Sequence, residues 1–515
     1  MFLGIDIGTS GAKALVLTPE GRIAGRGAAA YPLSAPRPGW SEQDPRDWWG
    51  GAVAATRAAL AGLDDTPVRA VSVSGQMHGL VVLDQDEVFA AGSRELSAAR
   101  PAILWNDQRT AHECAEIESA LGGRRVCVRT FGNAALPGFT LPKLLWLRRH
   151  EPAVLDRAGV FLLPKDYVRF VMTAEPVTDY GDASGMLMLD VRDRHWSDLA
   201  CALAGIDRRR LPSLRESAGS AGMLGHWAAT ALGVPRNIAA IAGSGDNQAG
   251  AIGAGVVEPG DALLSLGTSG VLYVHSERAR FDADTDDDAA AGRVHTFFAA
   301  DGVAGTPGGW CNTGCMLAAC ASLDWAHRTL APDTPLDALL AEAAAVPPGC
   351  DGLAFLPHLT GERCPHPSPH ARGAWVGLST RHTRAHLVRA VLEGVALTMR
   401  QVLDVFRSIG VEPRRVRVIG GGARSPVWRQ IHADALGLPL VSLESDEGPA
   451  LGAAILAGIG MGAWSNVREA CAAAIREHEI TTPTDAGMAA YAEVLARYRD
   501  LFPALDPYCR AVAGV

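Results

Sequence analysis

The residues of this chain whose types and spacing could do chemistry are two aspartates, two copies of one small-residue loop and a glycine triplet. Asp6 lies at the end of the apolar run Phe2–Ile7, just before Gly8-Thr9-Ser10-Gly11. The tetrapeptide returns as Gly267-Thr268-Ser269-Gly270, again between apolar runs, with Ser265 where the first copy has Asp6. Asp246 and Asn247 follow Gly243-Ser244-Gly245, and Gly420-Gly421-Gly422-Ala423 follows the run Val416–Ile419. Small residues and hydroxyls leave backbone N–H groups open to an anion. A carboxylate beside such a nest suits a metal ion that bridges protein and phosphate. Phosphoryl transfer needs this set: holders for the terminal phosphates and the metal, and a carboxylate to accept a hydroxyl proton. Asp246 is the candidate base, and Asn247 beside it can orient a hydroxyl. Two bland alternatives stand: the tetrapeptide repeats by coincidence, and Asp246 is a helix N-cap.

The elements that must position these groups alternate strand and helix. Phe2–Ile7 and Ala12–Leu17 read as a hairpin around the first loop, whose glycines are expected to supply φ > 0. A third strand follows Gly21. Asp44-Pro45 gives an N-cap and a proline at N1 for a helix through Trp48 and Trp49 to Leu60. Val68–Val73 is a buried strand leading to Ser74-Gly75-Gln76-Met77-His78-Gly79. Glu87–Ala99 reads as a loop insertion, and Ile103–Asp107 as a strand end. Gly138–Leu147 opens a helix, as does Pro164-Lys165-Asp166-Tyr167. Thr178–Gly185 is a polar, turn-rich crossing. Ile238–Ala242 is a strand, with a small-residue helix from about Gln248 and a domain boundary there. In the second half, Asp282–Asp288 reads as a solvated acidic loop, since Asp287 and Arg293 stand where a calcium loop has glycine and glutamate. Cys311, Cys315 and Cys320 read as buried structural thiols on a helix. Small residues of the helix from Gly448 allow close packing, and a last helix runs over about 486–502 with Tyr491, Leu495 and Tyr498 buried. The pattern is α/β.

At 515 residues the chain has room for two domains or more. Its net charge of −9 offers no basic footprint for nucleic acid. Ten cysteines spread over so long a chain fit reduced intracellular thiols. There is no basic leader and no 18-residue uncharged apolar span, so neither export nor a membrane is expected, and the cytoplasm is the expected location. Lysine occurs only at Lys13, Lys143 and Lys165 among 47 basic residues. Where arginine is the default cation, a lysine hints that a compact ammonium is wanted. None follows a glycine, which excludes a P-loop nucleotide site.

The chain resembles the FGGY family of carbohydrate kinases over nearly its whole length. One family signature is matched by Gly138–His150, with Lys143 and Trp146 in place; the other by Gly373-Ala374-Trp375-Val376-Gly377-Leu378, continuing through His386-Leu387 to Ala390-Val391-Leu392-Glu393. Shorter matches are Gly4-Ile5-Asp6, Gly39–Pro45, Gln76–Gly79, Leu104–Asp107, Leu163–Tyr167, Gly245–Asn247, Leu264–Gly270 and Gly361–Arg363. The resemblance implies an α/β fold of two actin-like (ribonuclease H-like) domains, with ATP in an interdomain cleft. Residues 1–245 would be the sugar-binding domain and residues 246–515 the ATP-binding domain. Asp246 would be the catalytic base and Asp6 would serve Mg²⁺ through water. Met77, His78 and Asn247 would line the sugar pocket, with Trp105 and Asn106 near it. Thr9, Lys13, Gly267 and Thr268 would face phosphates, and Gly421, Gly422 and Ala423 the adenosine. The implied acceptor is D-xylulose, phosphorylated to the 5-phosphate. The alternatives are another polyol or sugar acid (ribulose, gluconate, glycerol) or a non-catalytic actin-like ATP-binding protein. The partners implied are the sugar and ATP, without nucleic acid or membrane, and a homodimer is left open. Glu87–Ala99 and Pro365-His366-Pro367 are less typical of the family and touch the rim of the site.

Overall fold

The computed structural model describes residues 1–63, 67–284, 287–445 and 447–514. The apolar runs around the two Gly-Thr-Ser-Gly loops form hairpins, and each hairpin seeds a sheet. In the first, β1 (Phe2–Ile7), β2 (Gly11–Leu17) and β3 (Ile23–Ala30) run antiparallel. β4 (Ala70–Gly75) joins β1 in parallel. β5 (Ser220–Met223) is an antiparallel edge on β6 (Ala239–Gly245), which pairs in parallel with β4. The order is β5-β6-β4-β1-β2-β3. The second sheet repeats this plan. β7 (Asp261–Leu266) and β8 (Gly270–Ser276) form the hairpin, β9 (His295–Phe298) and β10 (Trp310–Met316) extend it antiparallel, β11 (Arg415–Ile419) and β12 (Leu440–Leu443) add in parallel, and β13 (Glu477–Thr481) is the antiparallel edge. The two tetrapeptides therefore occupy equivalent places in two units of one topology.

Helices cover the sheets because their apolar residues recur at helical spacing. In α1 (Pro45–Leu60), Trp48, Trp49, Ala52, Ala55 and Ala59 are buried, and Asp44 caps the helix by accepting from the Arg46 N–H. α2 (Thr140–His150) and α3 (Pro164–Thr173) complete the first half near the site. The second sheet packs on α5 (Arg384–Ser408) and α6 (Pro426–Leu436) around Leu264, Leu392, Val395 and Trp428. The halves interlock through two small-residue helices, α4 (Asp246–Gly253) and α7 (Gly448–Gly460), the latter lying against the first sheet beside Phe2, Leu15 and Ile241. Their backbones touch. A methyl on Gly452 would lie 1.8 Å from the Ala249 carbonyl oxygen, one on Gly253 2.1 Å from the Gly448 carbonyl, and one on Gly4 2.1 Å from the Ala450 carbonyl.

Several expectations need correction. The loop glycines 8, 11, 267 and 270 do not adopt positive φ; Gly8, Gly11 and Gly270 are crowded by neighbours instead, as at Gly11, where a methyl would meet the Ala29 carbonyl at 2.5 Å, whereas Gly267 has room. Glu87–Ala99 is not purely a loop, since a helical turn covers Gln85–Phe89. The small-residue helix begins at Asp246, not Gln248. Cys311 and Cys315 lie on β10 rather than a helix, and only Cys320 starts one; Cys311 is buried, the other two partly so. The acidic run is not wholly solvated: Asp282 is buried against Arg293, and Asp288 accepts from the Arg124 and Arg125 N–H groups. Residues 285 and 286 of that run lie outside the described residues. The final helix is Leu501–Ala513, after Asp485–Tyr498. Among the described residues no helix is long and apolar enough to cross a membrane.

Because α4 and α7 meet at backbone distance, Gly452→Ala should lower stability by about 1–3 kcal/mol. Urea unfolding should show an earlier midpoint with the slope unchanged. An unaltered midpoint would mean that the crossing is slack.

Candidate active site

Three interior strands, β1, β4 and β6, carry the candidate residues to their C-terminal ends on one side of the first sheet. Asp6 is paired with Ser74 of β4, and Ser74 with Ser244 of β6, so Asp6 and the residues before Asp246 lie level, two strand spacings apart. The Ser74 hydroxyl donates to Asp6 Oδ1 at 2.8 Å. Gly243, at φ 75°, sits where the β6 register shifts, and a methyl there would strike the Val73 carbonyl at 1.8 Å. This bulge re-aims the chain into α4. Asp246 is the first residue of α4, and Gly245 is its N-cap. The Asp246 side chain does not cap the helix; its Oδ1 accepts from the Asn247 N–H at 2.8 Å and from Asn247 Nδ2 at 3.2 Å. The N-cap alternative is thereby removed.

Burial pushes the Asp246 carboxyl up to about 7, with the Asp6 charge adding to the shift. Burial also raises Asp6, against the Ser74 hydrogen bond and the Lys13 ammonium on the paired strand. Two carboxyl groups raised by burial, one of them further by the other's charge, are a fit environment for a divalent cation, which would favour their ionised forms. Asp6 Oδ2 has no hydrogen-bond partner among the described residues.

The phosphate-loop candidates are built differently. In the first loop the Gly8 N–H donates to the Gly11 carbonyl at 3.0 Å and the Tyr31 hydroxyl to the Gly8 carbonyl at 2.6 Å. Thr9 is the hub: Gln43 Nε2 donates to its carbonyl at 2.7 Å, its hydroxyl donates to Gln76 Oε1 at 3.2 Å, and the Trp105 indole N–H donates to that hydroxyl at 3.0 Å. Lys13 is exposed. In the second loop the Thr268 carbonyl accepts from Ala319 N at 2.9 Å and the Gly267 carbonyl from Cys320 N at 2.9 Å, leaving Thr268 exposed. The glycine triplet lies against it: a methyl on Gly420 would meet the Leu266 carbonyl at 2.6 Å. Gly421 is exposed with open space around it, whereas Gly422 and Ala423 are buried, Gly422 against Trp428 and Ala423 with its carbonyl on Arg429.

Among the residues expected to line a sugar pocket, Asn247 Nδ2 lies 3.6 Å from the Met77 sulfur, which brings the β4 exit against the start of α4. His78 is in the left-handed region at φ 68° and is the one partly exposed residue between Ala70 and Leu80. Its Nδ1–H donates to the Gly185 carbonyl at 2.6 Å, and burial holds the ring neutral, its pKa down near 3. Nε2 is then an acceptor. Trp105 is 40% exposed and tied to the first loop through Thr9. Asn106 Oδ1 is buried and has no hydrogen-bond partner among the described residues.

A buried charge cluster underlies all of this, and the sequence reading gave it no role. Lys165 Nζ lies 2.6 Å from Asp166, 3.0 Å from Asp179 and 3.6 Å from Asp182, every side chain with no exposure. Burial alone would lower the Lys165 ammonium; the three carboxylates overcome it and hold it above its ordinary value. Asp179 Oδ2 accepts from Ser244 at 2.7 Å, Ser217 at 2.9 Å and the Gly181 N–H at 2.9 Å. The cluster thus grips β6 two residues before Asp246. Gln43, Gln76, Ser74, Ser244 and Asp179 were not singled out in the sequence. Their signal was position: each lies in, or beside, a stretch quoted for the resemblance or the polar crossing.

A profile of the FGGY carbohydrate-kinase N-terminal domain matches residues 1–253, and one of the C-terminal domain matches residues 262–461. A xylulose kinase of Bacillus subtilis is 36% identical over 502 residues, covering 97% of this chain and 96% of its own. A xylulose kinase of Escherichia coli is 41% identical over 464 residues, covering 89% and 90%. The crystal structure of a xylulose kinase from Rhodospirillum rubrum superposes with a TM-score of 0.89 at 32% identity, covering 99% of each chain. The two sheets of one topology match the actin-like fold of these kinase structures, and with both domain profiles matched the chain belongs to the FGGY family of carbohydrate kinases.

Proposed function

We propose that this kinase transfers the γ-phosphoryl group of ATP to the C5 hydroxyl of D-xylulose, giving D-xylulose 5-phosphate and ADP, with Asp246 as general base. One observation carries the reading: a carboxyl group held near 7 at the start of α4 does not cap its helix and takes hydrogen bonds from Asn247 on one oxygen, with Met77 near Asn247 and the Asp6 charge close enough to add to its shift. The relatives' names, at 36% and 41% identity over most of both chains, supply the substrate. In the reaction the acceptor oxygen forms its bond to the γ-phosphorus as the bond to the ADP oxygen breaks, and the hydroxyl proton passes to the Asp246 carboxylate. Met77 gives an apolar wall, and His78 Nε2, Asn106 and Asn247 read hydroxyls. Thr9, Lys13, Gly267 and Thr268 hold the phosphates, and Gly421 offers the open backbone for the nucleoside. Asp6 would hold Mg²⁺ through water, and the ion would offset charge on the phosphates. Residues 1–245 form the sugar side and residues 246–515 the nucleotide side, with the base at their junction.

The substrate is tested by coupled ADP release over pentuloses, polyols and sugar acids. D-xylulose should exceed D-ribulose, gluconate and glycerol in kcat/KM, because buried polar groups left unpaired by the wrong acceptor discriminate strongly. Equal efficiency on glycerol would overturn the substrate and leave the kinase.

Asp246→Asn should keep the fold and both substrates bound while kcat falls roughly 10²–10⁴-fold. In the wild type, kcat/KM should fall as pH drops through about 7, where the base takes up its proton before the substrate arrives. A flat profile from pH 6 to 8 would contradict the assignment.

Asp6→Ala should raise the Mg²⁺ concentration needed for half-maximal rate and lower kcat, with xylulose affinity by calorimetry nearly unchanged. Loss of sugar binding with normal metal dependence would place Asp6 in the wrong role.

A further inference from the structure

Lys143 is a fully buried ammonium without a carboxylate in ion-pair contact among the described residues. Its Nζ donates to two backbone carbonyls, His78 at 2.8 Å and Gly138 at 2.6 Å. Burial brings its pKa down to about 7, the nearby Arg109 charge acting the same way and Asp107 opposing. An unpaired buried cation is costly, and the chain has only three lysines among 47 basic residues. What the ammonium touches is informative. The His78 carbonyl also accepts from the Thr140 hydroxyl at 3.0 Å, so one carbonyl takes two side-chain donors from the same helix, α2. His78 needs such a hold, because a non-glycine residue at φ 68° pays backbone strain unless its surroundings fix it. The ring is located from the other side by Gly185, where a methyl would lie 2.6 Å from Nδ1, and by Phe139, edge-on at 4.7 Å between ring centroids. Phe139 immediately precedes Thr140, so α2 delivers the ring contact and both carbonyl donors in five residues.

We propose that Lys143 is a positioning residue for substrate selection: with Thr140 it clamps the His78 carbonyl and so holds the left-handed backbone that presents His78 Nε2 to the acceptor sugar. The inference deepens the sugar-pocket reading and rests on it. Lys143 acts through His78 and touches no reacting atom.

The test uses the full chain with Lys143→Met, Thr140→Val and His78→Ala, alone and as the Lys143→Met/His78→Ala double variant. Lys143→Met should raise KM for D-xylulose and cut kcat/KM on the order of 10- to 100-fold, as displaced positioning groups do. KM for ATP and acceptor-independent ATP hydrolysis should stay at the wild-type level. In the His78→Ala background the Lys143→Met loss should vanish. In ¹⁵N spectra the His78 ring should move from a single Nδ1–H tautomer to a mixture. If Lys143→Met does not fold, Thr140→Val removes the other donor to the same carbonyl and should show the same pattern at smaller size. A folded Lys143→Met or Thr140→Val with wild-type xylulose kinetics overturns the clamp. So does an undiminished loss in the His78→Ala background, or unchanged His78 ring signals. Wild-type xylulose kinetics in His78→Ala overturn the pocket reading instead, and with it the claim that the clamp selects substrate.

Discussion

The site depends on one buried ionic interaction, the Lys165 ammonium among Asp166, Asp179 and Asp182. Arg169 joins the cluster at 3.4 Å from Asp166, and burial pushes the Asp182 carboxyl well up; removing one partner of such a buried group typically costs about 3–5 kcal/mol because the rest remain buried and incompletely paired. The cluster is worth that exposure to failure because of where its spare hydrogen bonds go. Asp179 takes the Ser244 hydroxyl on β6, the Ser217 hydroxyl before β5 and the Gly181 N–H, so one carboxylate ties three passes of the chain together. Ser244 is two residues from Asp246, and Gly185, which anchors the His78 ring, follows on the same short helical segment as Asp182. The proposed base, Asp246, and the proposed sugar reader, His78, are thus indexed to one buried centre.

Around that centre the two halves share a plan and differ in chemistry. Each presents a hairpin loop of Gly-Thr-Ser-Gly at the end of a strand flanked by a parallel neighbour. The first half puts Asp6 on the strand before its loop; the second puts Ser265 there. A carboxylate at both places would set two like charges around the same phosphates. Asp6 and Asp246 instead share one side, where burial raises both carboxyl groups and the Asp6 charge raises Asp246 further, an environment that suits a cation. Contact of α4 with α7 at glycine and alanine positions lets the halves meet without bulky side chains between them, so Asp246 rides on a helix that both halves share.

Much of this was legible in the sequence because local rules decide it. The hairpins, the Asp44-Pro45 helix start, the strand before the glycine triplet and the close-packed α7 all follow from period, capping and small-residue spacing. What was not legible depends on partners far apart in the chain. Gln43 and Gln76 meet at Thr9 from 34 and 67 residues away. The Thr178–Gly185 stretch reads as a polar, turn-rich crossing, and what the sequence does not show is that it is buried apart from Tyr180, with its aspartates facing Lys165. Asp282 misled, its charge absorbed by Arg293. The three lysines pointed in the right direction: Lys143 and Lys165 are fully buried, and Lys13 lies on the strand paired with Asp6. The start of α4 was misplaced by two residues because the bulge at Gly243, which sets it, is a matter of strand pairing.

The central claim is that acceptor, base and phosphate loops converge at Asp246. The most direct measurement is a crystal structure of the Asp246→Asn protein with D-xylulose, Mg²⁺ and a non-hydrolysable ATP analogue. The account predicts the sugar's C5 oxygen within about 2.6–3.2 Å of the residue 246 side chain, the distance a general base needs, with the terminal phosphates on the loops of Thr9 and Thr268. A sugar bound away from residue 246, or presenting another carbon to it while the phosphates occupy those loops, would contradict it.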